Sequence, residues 1–111
     1  MNDFFSTKDP LNRRITLSTS HYYDHIIKGH EEIESDPDCI KKTIENPDYI
    51  YEDSTHFNRE VYYGLGKYRK YNKLYVTTVV EFETNKTGNV ITAYLTDKIK
   101  ESWGNLQYAK T

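Results

Sequence analysis

Residues Leu74 to Thr96 read LYVTTVVEFETNKTGNVITAYLT, and the alternation inside this stretch decides the fold class. Leu74, Val76, Thr78, Val80 and Phe82 alternate with Tyr75, Thr77, Val79, Glu81 and Glu83, the two-residue period of a strand with one buried face. A second run places Val90, Thr92, Tyr94 and Thr96 on one side and Ile91, Ala93 and Leu95 on the other. Asn85-Lys86-Thr87-Gly88-Asn89 links the runs, with Gly88 free to take the backbone angles of a hairpin loop. The stretch is therefore predicted to be a β-hairpin. Pairing it so that Leu74, Val76, Val80 and Phe82 share the buried face with Ile91, Ala93 and Leu95 leaves Tyr75, Thr77, Thr92 and Tyr94 on an open, hydroxyl-rich face.

Upstream, the period changes. Residues 1 to 12 are polar and contain Asp9-Pro10, which predicts a loosely held lead-in before a single domain over 13–111. Ile15 and Leu17 alternate in a short extended segment. Tyr22, Tyr23, Ile26 and Ile27 then recur at helical spacing, with Thr19 or Ser20 as cap and Gly29 at the stop, predicting a helix over 20–28. Ser35-Asp36-Pro37-Asp38 opens a second, short helix that ends before Asn46-Pro47. Asp48 to Tyr51 and Arg59 to Tyr63 read as strands. The expected architecture is α+β, with N-terminal helices packed on one face of a roughly four-stranded antiparallel sheet.

Composition narrows the function classes. With 111 residues the chain is large enough to fold as one domain without metal or disulfide support. Its single cysteine, Cys39, excludes an internal disulfide and a cysteine zinc cluster. The absence of a long apolar run or signal peptide predicts a cytoplasmic protein without membrane contact, unless the chain is a fragment of a larger delivered protein. A net charge of -2 divides unevenly: residues 1 to 58 have a balance of -6 and residues 59 to 111 one of +4. Non-specific duplex binding is disfavoured, while a local basic face for a short nucleic acid segment remains open. Lys67, Arg69 and Lys70 interleave with Tyr68 and Tyr71, which reads either as a solvated hairpin tip or as a track for RNA backbone and bases. No phosphate-binding glycine motif occurs, so no nucleotide cofactor is expected.

Three of the four histidines, His21, His25 and His30, lie within or just after the first predicted helix. His21 and His25 have the spacing to share an ion, but no third ligand is evident and no metal is expected. A ribonuclease that works without metal uses the RNA 2′-hydroxyl as nucleophile and needs a proton acceptor, a proton donor and hydrogen-bond donors for the phosphate. His25 and His30, with Arg59, Tyr63, Thr92 and Tyr94, supply that inventory. Each taken singly is also an ordinary helix or strand residue.

The order of the short motifs adds information. Ile15-Thr16-Leu17-Ser18, Asp24-His25-Ile26, His30-Glu31, Thr43-Ile44, Asn46-Pro47-Asp48 and Val90-Ile91-Thr92-Ala93-Tyr94 together resemble the phage- and mobile-element-associated branch of the barnase, EndoU, colicin and RelE-like nuclease superfamily. The resemblance spans 13–94. It implies helices on a four-stranded sheet and RNA cleavage without metal on the exposed sheet face, in many members as a toxin countered by an immunity or antitoxin protein. It places His25 and His30 in the acid-base positions and Thr92 and Tyr94 at the scissile phosphate, with Arg59 and Tyr63 as further carry-overs. The alternative is a non-catalytic interaction module that holds protein or RNA on the same tyrosine-rich face.

Overall fold

The computed structural model describes residues 2–68 and 73–111. The predicted hairpin is present as β5 (Tyr75–Phe82) and β6 (Thr87–Thr96), but one irregularity changes its faces. Val76 pairs with Leu95, Thr78 with Ala93 and Val79 with Thr92, and then Val80 pairs with Val90, skipping Ile91. A bulge of this kind sets two successive residues opposite one and turns both to the same side. Val90 therefore joins Val76, Val80 and Ala93 in the main core, while Ile91 moves to the opposite face beside Val61, Tyr63 and Val79. The expectation that Ile91 shares the buried face of Val80 is corrected by that extra residue.

The expected four-stranded antiparallel sheet is overturned. Among the described residues seven strands form one mixed sheet in the order β1-β2-β6-β5-β4-β3-β7, with β1 (Asp3–Lys8), β2 (Arg14–Ser18), β3 (Tyr49–Glu52), β4 (Arg59–Leu65) and β7 (Leu106–Ala109) added to the hairpin. The segment expected as a lead-in contains β1, whose alternate residues Phe5 and Thr7 are buried. Strand β2 runs parallel to β6, through Arg14 with Thr87 and Ile15 with Gly88, and the remaining pairs are antiparallel. Two apolar residues in a polar tract carry too little periodic signal for β1 to be read locally.

The helical content is small. Ser18 accepts a hydrogen bond from the His21 amide and caps α1 (Thr19–His21), which continues as a wider π-helical turn over Tyr22–Ile27. A 3-10 turn follows at Glu31–Ser35, then α2 (Cys39–Glu45). Ile26, Ile33, Ile40 and Ile44 from these segments pack on Ile15, Leu17, Ile50, Tyr62, Val76 and Val80. Helix α2 rests directly on β4 at Gly64, where an added Cβ would lie 2.8 Å from Thr43 Oγ1, so the close approach requires glycine.

A polar network closes this core. Asp9, in the β1–β2 connection, accepts hydrogen bonds from the Leu11 and Arg13 amides at 3.0 and 2.9 Å. Arg13 Nε meets Asp9 Oδ2 at 2.9 Å, and its two terminal nitrogens meet the Glu60 carboxylate at 3.0 and 2.8 Å. Tyr62 donates to Asp9 at 2.5 Å and accepts from Arg13 at 3.1 Å, and the guanidinium lies 4.3 Å from the centre of the Phe82 ring. Burial works against the Arg13 charge, and the Glu60 hydrogen bonds with the charges of Tyr62, Glu60 and Asp9 more than offset it, so its pKa is raised.

Arg13→Met should cost about 3 to 5 kcal/mol in urea unfolding, because it leaves the fully buried Asp9 side chain without its cation. A loss below about 1 kcal/mol, the range of exposed ion pairs, would show that Asp9 is solvated in solution. Tyr22 supplies a second test: burial first, with the charges of Cys39 and its acidic neighbours, pushes its phenol up to about 12, and its hydroxyl has no partner among the described residues. The stability linked to Tyr22 should be intact below about pH 10, the unfolded value, and be lost as pH rises through the folded one. Tyr22→Phe should be neutral or stabilising at pH 7 and should flatten that alkaline loss.

Candidate active face

Strand β6 is shielded by β2 only as far as Asn89. Beyond that point the edge meets the helical segment, and His21 Nε2 donates to the Ile91 carbonyl at 2.7 Å. A carbonyl only accepts, so Nε2 carries the ring proton there. The His25 ring stacks on His21 at 4.6 Å, tilted by 24°. Three residues after Ile27, His30 brings its ring 5.6 Å from that of Tyr94. The Glu32 carboxylate lies 3.8 Å from His30 Nδ1. The structure thus gathers His21, His25 and His30 along one edge of β6 and places His30 against a residue expected at the phosphate.

Register places the other expected residues on one face. Tyr63 pairs with Thr77 and Thr77 with Tyr94, while Val61 pairs with Val79 and Val79 with Thr92. Arg59 is two residues further along β4 on the same side. Arg59, Tyr63, Thr92 and Tyr94 accordingly face away from the helices. They are not clustered: Arg59 lies about 13 Å along β4 from Tyr63, four strand residues away. The Tyr94 phenol is held above its ordinary pKa, first by partial burial and then by the negative charges of Tyr63 and Asp53.

The expected open face is partly covered. After β6 the chain crosses it, setting Ile99 and Trp103 against Val61, Tyr63 and Val79. Tyr63 is only 1% exposed, and its hydroxyl accepts from Trp103 Nε1 at 2.5 Å and from the Lys100 amide at 3.4 Å. Ser54 Oγ donates to the Ser102 carbonyl and Gly104 N to Glu52, which tie the crossing down. Thr77 is fully buried with no hydroxyl partner among the described residues, so it is not the exposed strand residue that alternation suggested. Alternation shows that a face is polar; it carries no information on what later chain covers it. The crossing also brings Lys100 over the face, with its ammonium 4.6 Å from the Trp103 ring.

Two further expectations change. In the basic-aromatic run, Tyr68 is buried and donates to the Glu32 carbonyl at 2.7 Å, so it belongs to the core and offers no stacking platform. Lys67 is half-buried beside Gly64, and Arg69 and Lys70 lie outside the described residues. Arg59 opens instead into a cleft of about 520 Å³ between residues 53–58 and 83–85, with Nε 3.6 Å from Glu81. His56 lines this cleft and was not singled out by sequence. The legible signal was Asp53-Ser54-Thr55-His56, in which an aspartate opens a turn that returns a ring to its carboxylate.

Among the described residues no group of three histidines, cysteines or carboxylates is placed to hold a metal, and no helix is long and apolar enough to cross a membrane. No protein-family model, curated protein or solved structure matches the chain.

Trp103 is the only tryptophan, which makes the crossing directly observable. Trp103→Phe keeps a ring over Tyr63 but removes the indole N–H, and should cost about 1 kcal/mol in thermal or urea unfolding. The parent's indole emission should shift to the red at the same midpoint as the loss of global structure. A shift at much lower urea would mean that the crossing detaches while the sheet remains folded.

Proposed function

We propose that this protein is a metal-independent endoribonuclease whose reaction centre lies where the His30 end of the helical segment meets Thr92 and Tyr94. The single observation that carries the reading is the packing of the His30 ring on Tyr94, because it joins a group able to move a proton near neutrality to a phenol able to donate to a phosphate oxygen. In this reading His30 accepts the 2′-hydroxyl proton, O2′ bonds to phosphorus, and the bond from phosphorus to O5′ breaks as O5′ takes a proton from water. Tyr94 and Thr92 donate to the phosphate oxygens, where charge builds up in the transition state. Arg59 and Lys100 supply positive charge on the same face, in keeping with the basic balance of the C-terminal half. His25 is stacked on His21, and Tyr63 acts through packing beneath Trp103.

Purified protein should cut labelled RNA in EDTA, leaving 2′,3′-cyclic phosphate and 5′-hydroxyl ends. His30→Ala should lower the rate by about two to four orders of magnitude with RNA binding retained. Tyr94→Phe, which keeps the ring and the packing, should also slow cleavage without lowering the melting temperature. Binding without cleavage across varied RNAs would favour the second reading, an interaction module. The partial exposure of Tyr49, Tyr51 and Tyr75 on the same face is what supports that reading.

A further inference from the structure

Thr77 stands in the middle of the rung that joins Tyr63 to Tyr94: Tyr63 pairs with Thr77, and Thr77 with Tyr94. Paired residues on neighbouring strands are about 5 Å apart and share a face, so its hydroxyl belongs to the face of Tyr94 and Thr92. The side chain is fully buried, and its oxygen has no hydrogen-bond partner among the described residues. A buried hydroxyl without a partner destabilises the folded chain relative to a methyl group of the same shape. Packing alone would be met as well by valine, the residue at positions 76, 79 and 80 of the same strand. Thr78 has an equally orphaned hydroxyl, but it pairs with Tyr62 and Ala93 on the helix side, away from the candidate site.

The chain that crosses this face is packed on the neighbours of Thr77. Tyr63 lies opposite Thr77 and Val79 follows it by two residues, and Ile99 and Trp103 are set against both. In the crossing these two side chains are half-buried, while Asp97, Lys98, Lys100, Glu101 and Ser102 are exposed. Over the face, the hydrogen bonds from Trp103 Nε1 and the Lys100 amide end on one atom, the Tyr63 hydroxyl. Strand pairing resumes only at Leu106, next to the contact of Gly104 N and Asn105 O with the Glu52 backbone. The middle of the crossing is therefore joined to the sheet by two apolar side chains and one phenol.

We propose that the Thr77 hydroxyl is a further ligand of the substrate phosphate, donating to an oxygen of the phosphate held at Tyr94, and that the middle of the crossing leaves Val61, Tyr63 and Val79 when RNA binds. This rests on the ribonuclease reading above. A donor orphaned in the free protein gains its partner only with RNA in place, so its contribution falls on binding and on the transition state rather than on folding. Release of Trp103 and Lys100 frees the Tyr63 hydroxyl on the other side of Thr77. Tyr94, Thr77 and Tyr63 then form a row of hydroxyl donors along one rung.

Thr77→Val removes the hydroxyl and keeps the shape. It should lower kcat for RNA cleavage in EDTA by about two to three orders of magnitude, the effect of losing one donor aimed at developing negative charge. The melting temperature should stay level or rise. Thr77→Ser, which keeps the donor, should retain most of the rate. Thr78→Val removes an equally buried hydroxyl from the other face and should cleave like the parent. Movement of the crossing is read separately: saturation of the parent with a 2′-deoxy oligonucleotide, which lacks the nucleophile, should shift the Trp103 emission to the red. Parental kcat in folded Thr77→Val, equal losses in Thr77→Val and Thr78→Val, or failure of the oligonucleotide to bind or to move the emission would overturn this role while leaving the ribonuclease reading intact. A parent protein that cleaves none of the RNAs offered would overturn that reading, and the role of Thr77 with it.

Discussion

The Arg13 guanidinium, held between Asp9, Glu60 and Tyr62 and over the Phe82 ring, ties the first hairpin to the centre of the sheet. Strand β2 is three places from β4 in the sheet order, so the β1–β2 connection reaches Glu60 and Tyr62 only if the sheet curls and folds its end over one face. Asp9 and Arg13 each have an opposite charge and a neutral partner, and the less buried Glu60 takes both terminal nitrogens of Arg13, which is how ionic groups are retained in a core. That curl encloses the isoleucine-rich layer of the helical segments. The candidate site lies on the other face, outside that curl.

The helical segment 19–35 has a second function besides covering the core. It takes the place that another strand would have along β6 beyond Asn89, and the hydrogen bond from His21 to the Ile91 carbonyl stands in for one bond of a strand ladder. The bulge at Ile91 is at the same point. Thr92 directly follows the bulge, and Tyr94 meets the His30 ring two residues further on. A strand irregularity and a wide helical turn thus flank the contact between His30 and Tyr94.

The C-terminal crossing limits how the tyrosine-rich face can be used. Trp103 and Ile99 pack over Val61, Tyr63 and Val79, leaving the β6 end, the Arg59 cleft and the partly exposed Tyr49, Tyr51 and Tyr75 as the accessible parts.

The local alternation of residues 75–82 and 87–96, the helical spacing of Ile26 and Ile27, and the stop at Asn46-Pro47 were legible because each depends on neighbours a few positions apart. No local pattern showed that the rings of His30 and Tyr94 would lie 5.6 Å apart, centre to centre. The bulge that moves Ile91, the strand nature of 3–8, the parallel contact of β2 with β6, the Arg13 network, the cover over Tyr63 and the pose of His56 were decided by the tertiary structure alone. Each depends on pairings between residues distant in the chain, whose energies come from burial and from partners brought together only when the sheet curls. A one-dimensional pattern records which side of a strand is polar, and the folded chain determines what lies against it.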